Sequence, residues 1–470
     1  MEEKVHSSRN LQSRHIQFIA LGGIIGTGLF LGAGNAITSA GPSAILAYLL
    51  VGTIAFLVAR QLGEMSANEP VAGSSAHFAY KYWGKFPGFL AGWNYWLEYV
   101  LSGMAELTAV AACAQYWFPG TPTWVFALIF FALINITNLV TAKMYGEIEF
   151  WFSSVKIIAI IAIILIGGYI LFFDPNLITG ASIKNLWQAA TVGPHAGDKM
   201  FSGFFSCGAM GFALTFAMAI FAFDGLELIG LSAAETKNPE KAIPKAVNQV
   251  MLYILILYIG AFVVLLSLFH WSSLSVTDNP FAMVFDKLGF KYAASALKFI
   301  VLTAALSVYS SCIYSNGRML YGLALKKNAP KILSKTNKKG IPTYAIVLSG
   351  VLTFLVVPLN YFIPNWTSAF EIIVNFSVIG SIINWSIMSI AHLKFKKNKK
   401  LKHCETIFRS TLYPYSNYIA LAFLAFVVII MATPRCGMLK QAIALPVWIL
   451  VVYIGYKISK REKNQQEESQ

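Results

Sequence analysis

Apolar residues fall in blocks of about twenty along almost the whole chain, separated by short polar connections. A helix rises about 1.5 Å per residue and the hydrocarbon core is about 30 Å thick, so each block can cross it. Twelve blocks are predicted as helices, near 16–36, 42–62, 88–116, 122–141, 150–173, 203–233, 246–269, 292–324, 342–362, 368–392, 413–432 and 441–459. The short alternating runs of barrel strands do not occur. The pattern therefore predicts an all-α, polytopic membrane protein with about twelve transmembrane helices and no soluble domain.

Two blocks interrupt their own pattern. "IALGGIIGTGLFLGAGNA", 19–36, carries Gly22, Gly23, Gly26, Gly28, Gly32 and Gly34. Each glycine weakens a helix interior by roughly 1 kcal/mol relative to alanine. "AIFAFDGLELIG", 219–230, sets Asp224, Gly225 and Glu227 in the middle of the sixth block. Charges at that depth usually face a cavity or a partner. Paired interruptions in corresponding positions of two halves mark transporter binding sites. They lie five blocks apart, an odd number, so the predicted architecture is two inverted five-helix repeats, about 16–173 and 203–392, with extra helices at 413–459. The backbone at 25–29 and 222–226 is expected to be non-helical.

Unwinding frees backbone N–H and C=O groups, which a membrane interior tolerates only where they line a cavity or bind something. Glycine allows unusual backbone angles and leaves room for a ligand. A half-helix N-terminus at Ile25, Gly26, Thr27 and Gly28 would face an anion, and freed carbonyls around Gly225 could accept from an ammonium. One break for a carboxylate and one for an amine describe an α-amino acid site. The competing reading of the glycines is close helix packing.

Composition agrees with lipid as the solvent: 57% of residues are hydrophobic and 12% charged, against about 25% charged in soluble domains. The net charge of +15 is a topology signal rather than a nucleic-acid patch. Lys326, Lys327, Lys331, Lys335, Lys338 and Lys339 share one connection; Lys394, Lys396, Lys397, Lys399, Lys400, Lys402 and Arg409 share another. Lys457, Lys460, Arg461 and Lys463 follow the last block, whereas 117–121 and 363–367 carry no basic residue. The positive-inside rule puts the basic loops, the 1–15 segment and the polar 460–470 tail in the cytoplasm, the tail expected to be disordered. The first segment lacks a cleavage pattern and is expected to be retained. Cys113, Cys207, Cys312, Cys404 and Cys436 stand singly, and the seven histidines are scattered, so neither a metal site nor a catalytic constellation is expected.

"RHIQFIALGGIIGTGLFLG", "PVAGSSAHFAYKYWG", "GEIEFWFSSVKIIAI" and "GLELIGLSAAETKNPEKAIPKAVNQV" together resemble bacterial amino acid permeases of the APC superfamily, and the likeness runs from about Arg14 to about Tyr456. "MAELTAV" and "VLTAALSVY" bring it closest to the proton-coupled aromatic amino acid permeases. The resemblance implies a LeuT-type 5+5 inverted repeat in the inner membrane and import of Phe, Tyr or Trp with a proton as coupling ion. The alternatives are exchange, or another neutral or cationic amino acid. No enzymatic activity, cofactor or nucleic-acid partner is implied.

Lys156 is similar to a lysine that such permeases hold against span one, where sodium-coupled relatives bind a cation; a desolvated amine can cycle its proton. The other reading is a lysine snorkelling to the interface. Thr303, Ser307 and Ser311 repeat every four residues on the face of span eight expected to adjoin it. Glu106, deep in span three, is a candidate proton acceptor or an anchor for spans one and six. Glu147 and Glu149 are expected in cytoplasmic ion pairs, and Glu64 in a structural interface. Trp93, Tyr95 and Trp96 read as an interfacial belt. Phe221 and Phe223 are expected to wall the side-chain pocket. The segment 236–249 reads as a turn-rich hinge and 276–289 as a cap with a short helix. Asp224 departs from the glycine of the aromatic permeases. It could strengthen α-amine binding, favour a cationic side chain, or turn away.

Overall fold

The computed structural model describes residues 13–71, 73–139, 142–189, 203–274, 280–288, 292–338, 340–398, 408–433 and 438–468. The expectations for the first twelve residues, for Lys339, Lys399, Lys400 and Lys402, and for Cys404 and Cys436 lie outside these. Among the described residues, eight helices are long and apolar enough to cross a membrane, and four shorter apolar helices accompany them. Together they match the predicted blocks one for one.

Span one is the series Ser13–Ile24, Thr27–Phe30 and Gly32–Ala40; span two is Ala44–Asn68, span three Lys85–Gln115, span four Thr123–Asn138 and span five Ala142–Phe173. Span six is Gly208–Ala222 followed by Leu228–Leu231, span seven Pro239–Leu268 and span eight Ala293–Leu325. Span nine is Thr343–Thr353 and Val356–Phe362; spans ten, eleven and twelve are Trp366–Lys397, Tyr415–Met431 and Leu439–Glu468. Span three packs most extensively, against spans eight and ten, while spans one and six fit between them and spans two and seven. Outer faces of spans five and twelve expose apolar side chains, Leu165 by 66% and Leu450 by 57%, which only lipid can solvate without cost.

Both breaks are present but differ in extent from the expectation. Within 25–29, span one leaves the helix at Ile25 and Gly26 alone; Thr27–Phe30 is already a helical turn, and Leu31 makes a further single-residue interruption. Span six is a series of turns over 223–227. Gly26 sits at φ −130° and ψ −151°, extended backbone open to any residue, so space rather than conformation selects glycine there. Gly225 does need its freedom, with φ +101°.

Three further expectations are corrected. The 236–249 segment is not a hinge of turns: Pro239 opens the helix of span seven, where its missing N–H costs nothing. Residues 460–468 continue span twelve as helix, since Lys, Arg, Glu and Gln are good helix formers and no breaker intervenes. Tyr95 and Trp96 are interior, not an interfacial belt; Tyr95 stacks on Tyr99 with centroids 4.2 Å apart, and the Trp96 indole donates to Ser349 at 2.9 Å. Glu64 does serve an interface: it accepts from Lys396, from the Ser410 N–H at 2.7 Å, and faces His392 at 3.0 Å. The predicted short helix in 276–289 is Pro280–Lys287.

The two breaks are held to each other by Tyr258 of span seven. Its hydroxyl shares its proton between the carbonyls of Ile24 at 3.2 Å and Ala222 at 2.9 Å. Removing that hydroxyl leaves two buried acceptors without it, a loss of about 1–3 kcal/mol. Tyr258→Phe is therefore expected to lower the unfolding midpoint of the detergent-purified protein; an unchanged midpoint shows that the contact contributes nothing.

Candidate functional site

The site begins where span one stops hydrogen-bonding to itself. The Lys156 ammonium of span five is fully buried and donates to the carbonyls of Gly22 at 2.5 Å and Ile25 at 2.7 Å, and to the Ser307 hydroxyl at 3.0 Å. An ammonium has three N–H donors, and each has one acceptor here. The Ser307 hydroxyl in turn donates a hydrogen bond to the buried carboxylate of Glu149, which also accepts from Ser153 at 3.4 Å. Lys156 therefore does not snorkel, and Glu149 is not in an exposed ion pair: it closes a Lys156–Ser307–Glu149 relay between spans five and eight. The helical register explains this, because Glu149 and Lys156 lie two turns apart on one face of span five.

On the other side of the break, Glu106 of span three accepts from the Thr27 N–H at 3.3 Å and the Thr27 hydroxyl at 2.9 Å through Oε1. Its second oxygen is buried without a hydrogen-bond partner. The protein's own carboxylate thus occupies one of the N–H groups expected to meet a substrate anion.

A narrow cavity of about 20 Å³ lies between the breaks. Gly26, Gly28 and Gly225 form its backbone floor, and Phe221, Asp224, Glu106 and Ser311 also face it. Phe221 meets Phe370 of span ten edge-on, centroids 6.1 Å apart, which gives one wall aromatic character. Four predicted residues lie elsewhere. Ile25 turns its carbonyl to Lys156, Thr27 faces Glu106, and Thr303 bonds Ile300 of its own helix at 2.8 Å. Phe223 packs on Tyr258, centroids 5.1 Å apart, and on Tyr48 at 6.2 Å. Phe221 and Phe223 do not share a wall: Phe221 is still in the helix, whereas Phe223 is the first residue of the turns over 223–227.

The cavity also takes residues the sequence reading did not single out. Tyr99 and Ser102 line it with Glu106, and their spacing of three and four residues marks one helical face of span three. Asp224 accepts from Ser102 at 3.3 Å and does not turn away toward lipid. It joins Glu98 and Glu227: one carboxylate oxygen of each lies within 4.8 Å of the others, and all three side chains are buried. Glu227 accepts from Tyr99 at 3.3 Å and Trp385 at 3.0 Å, and Glu98 from Asn384. These donors are all neutral. At this range two full charges repel by on the order of 3 kcal/mol even at an effective dielectric of about 20, so three ionised carboxylates require a counter-cation.

A family model described as amino acid permease matches residues 15–469. The chain is 49% identical over 465 residues to the aromatic amino acid transport protein AroP of Shigella flexneri, with 98% of each chain covered. It is 49% identical over 449 residues to AroP of Salmonella typhimurium (strain SL1344), covering 95% of this chain and 94% of that one. The uncharacterized transporter YdgF of Bacillus subtilis (strain 168) is 40% identical over 453 residues, 96% of each chain.

Close approach of the two broken spans makes a direct forecast. A Cβ built on Gly28 would lie 2.6 Å from the Ala222 Cα, a backbone atom that cannot step aside. Gly28→Ala should force spans one and six apart and destabilise the protein by about 1–3 kcal/mol, read as a lower unfolding midpoint and a loss of ligand-induced stabilisation in a chain that still inserts. Unaltered stability and binding would mean that the spans are not in contact at this point.

Proposed function

This chain belongs to the amino acid permease family, and we propose that it imports aromatic amino acids into the cell together with protons. It is a multi-pass bacterial membrane transporter and not an enzyme. The aromatic substrate class is supported by the relatives named for aromatic amino acid transport and by the Phe221–Phe370 wall. The floor between the breaks suits the α-amino and α-carboxylate groups common to every such substrate.

Proton coupling rests on one observation: the three acceptors around Lys156. The charged amine satisfies all three with its three N–H groups. A neutral amine has two N–H donors and a lone pair, and Ser307 has already committed its hydrogen to Glu149. Deprotonation must therefore release one contact, either a span-one carbonyl or the Ser307 relay. The proton on Lys156 holds the break of span one against spans five and eight; losing it lets span one move. A gate whose closure needs a proton, and whose opening releases it, moves one proton with each cycle. Glu106 is the second candidate in the path, since its Oε2 is unpartnered beside the Thr27 contact.

Basic connections next to the described Lys326 and Lys396 support a cytoplasmic face at that end. Lys326 faces His77 at 2.8 Å, and Lys396 reaches Glu64. The Gln17–Gln249 contact at 2.9 Å ties the start of span one to the start of span seven, close to Arg60 and its partner Asn248. The basic connections favour a cytoplasmic position for both termini in a bacterial inner membrane.

Proteoliposome uptake tests the reading in two arms. In the first, Lys156→Ala should abolish phenylalanine accumulation driven by a pH gradient while leaving counterflow; normal accumulation would refute the role of this lysine. In the second, tyrosine and tryptophan should compete with labelled phenylalanine at acidic external pH, and lysine should not. Failure of both aromatic competitors overturns the substrate class and leaves the coupling arm to stand or fall separately.

A further inference from the structure

The three carboxylates beside the cavity have no part in the Lys156 relay, and their surroundings say what they can hold. Asp224 faces the cavity, and its Oδ1 has no hydrogen-bond partner. Glu98, behind it on span three, is 1% exposed and its Oε1 is likewise unpartnered. The groups facing the trio can be named element by element. Span three contributes Tyr95, Tyr99, Ser102 and, further along, Glu106. Span ten contributes Ser377, Ser381, Asn384 and Trp385, and span eight Cys312. Behind Glu98, a groove toward span twelve is lined by Leu101, Phe376, Val447 and Trp448. Among the described residues, no Lys, Arg or His side chain is hydrogen-bonded or ion-paired to Glu98, Asp224 or Glu227. With no cationic hydrogen-bond or ion-pair partner among the described residues, a proton, or a cation arriving at Asp224 through the cavity, can balance this wall.

We propose that Glu98, Asp224 and Glu227 form a proton-loaded cation subsite that determines which side chains the cavity accepts. Protonated, the wall is neutral and admits an uncharged aromatic side chain. Ionised, it repels no cation and binds a side chain carrying a guanidinium or ammonium. The unpartnered Oδ1 of Asp224 is the oxygen open to the cavity, and it suits a charged N–H donor of a guanidinium or ammonium. Asp224 is the contact residue. Glu98 acts through it as a positioning residue, because it adds charge to the wall without facing the cavity. Selectivity then follows pH: aromatic side chains in acid, cationic ones as the wall ionises. This rests on the reading of the cavity as the amino acid site, and it adds a second substrate class to it.

The test is direct binding of labelled phenylalanine and labelled arginine to the purified full-length protein at about pH 5.5 and about pH 8.5, where no gradient contributes. The ratio of arginine to phenylalanine affinity is expected to rise by about tenfold or more between the two, as linkage to a single proton already allows. Asp224→Asn should flatten that rise, and Glu98→Gln should weaken it without touching the cavity. A ratio that does not change with pH in the wild type overturns the proposal, as does an undiminished rise in both variants. If Asp224→Asn does not fold, Glu98→Gln decides alone. Phenylalanine bound at both pH values with arginine bound at neither sinks the subsite and spares the aromatic reading. Arginine bound only in alkali, with no phenylalanine bound at all, does the reverse.

Discussion

A helix that unwinds inside a membrane must rehouse every backbone group it frees, and the rest of this structure is arranged around that requirement. The freed carbonyls of span one are taken by two side chains from opposite sides: Lys156 covers Gly22 and Ile25, and Tyr258 covers Ile24 while reaching across to Ala222 of span six. The Thr27 N–H goes to Glu106. Spans three, five and seven are thereby fixed to the two breaks, and the cavity is the space they leave. Gly28 and Gly225 keep that space thin, the first by backbone contact with Ala222 and the second by a left-handed turn against Gly23.

Charge follows from the same arrangement. A buried ammonium costs several kcal/mol unless acceptors surround it, and Lys156 has a full set plus a carboxylate one hydroxyl away through Ser307. The Glu98–Asp224–Glu227 group is the opposite case: three acids with neutral donors only. The break of span one is therefore backed by a compensated cation outside the cavity, while the acid that lines the cavity, Asp224, belongs to a group with no cationic hydrogen-bond partner among the described residues.

Family membership fixes the class of cargo more firmly than the site does. Backbone floor and buried lysine serve any amino acid, whereas the side chain is judged by a few residues: Phe221 with Phe370, Tyr99, and the acids that abut them. A single side chain such as Asp224 can weigh on that judgement without setting the fold, because it places charge at the wall while the packing of the breaks rests on other groups.

The twelve helices, the two breaks and the lysine that meets the first of them were legible in the amino-acid order, because hydropathy period, glycine clusters and mid-membrane charge are local signals. The sequence also singled out Gly26, Gly28, Phe221 and Asp224, which do face the cavity. It could not say which way a residue turns once the helix stops. Phe223 points to Tyr48 and Tyr258 rather than to the cavity, and Ile25 and Thr27 spend their backbone and hydroxyl on Lys156 and Glu106. Glu98, Asp224 and Glu227 share one wall although more than a hundred residues separate the first from the others, and Glu149 reaches Lys156 only through a serine on span eight. Such meetings depend on the packing of whole helices, whose side-chain directions are set by distant neighbours and not by the chain on either side.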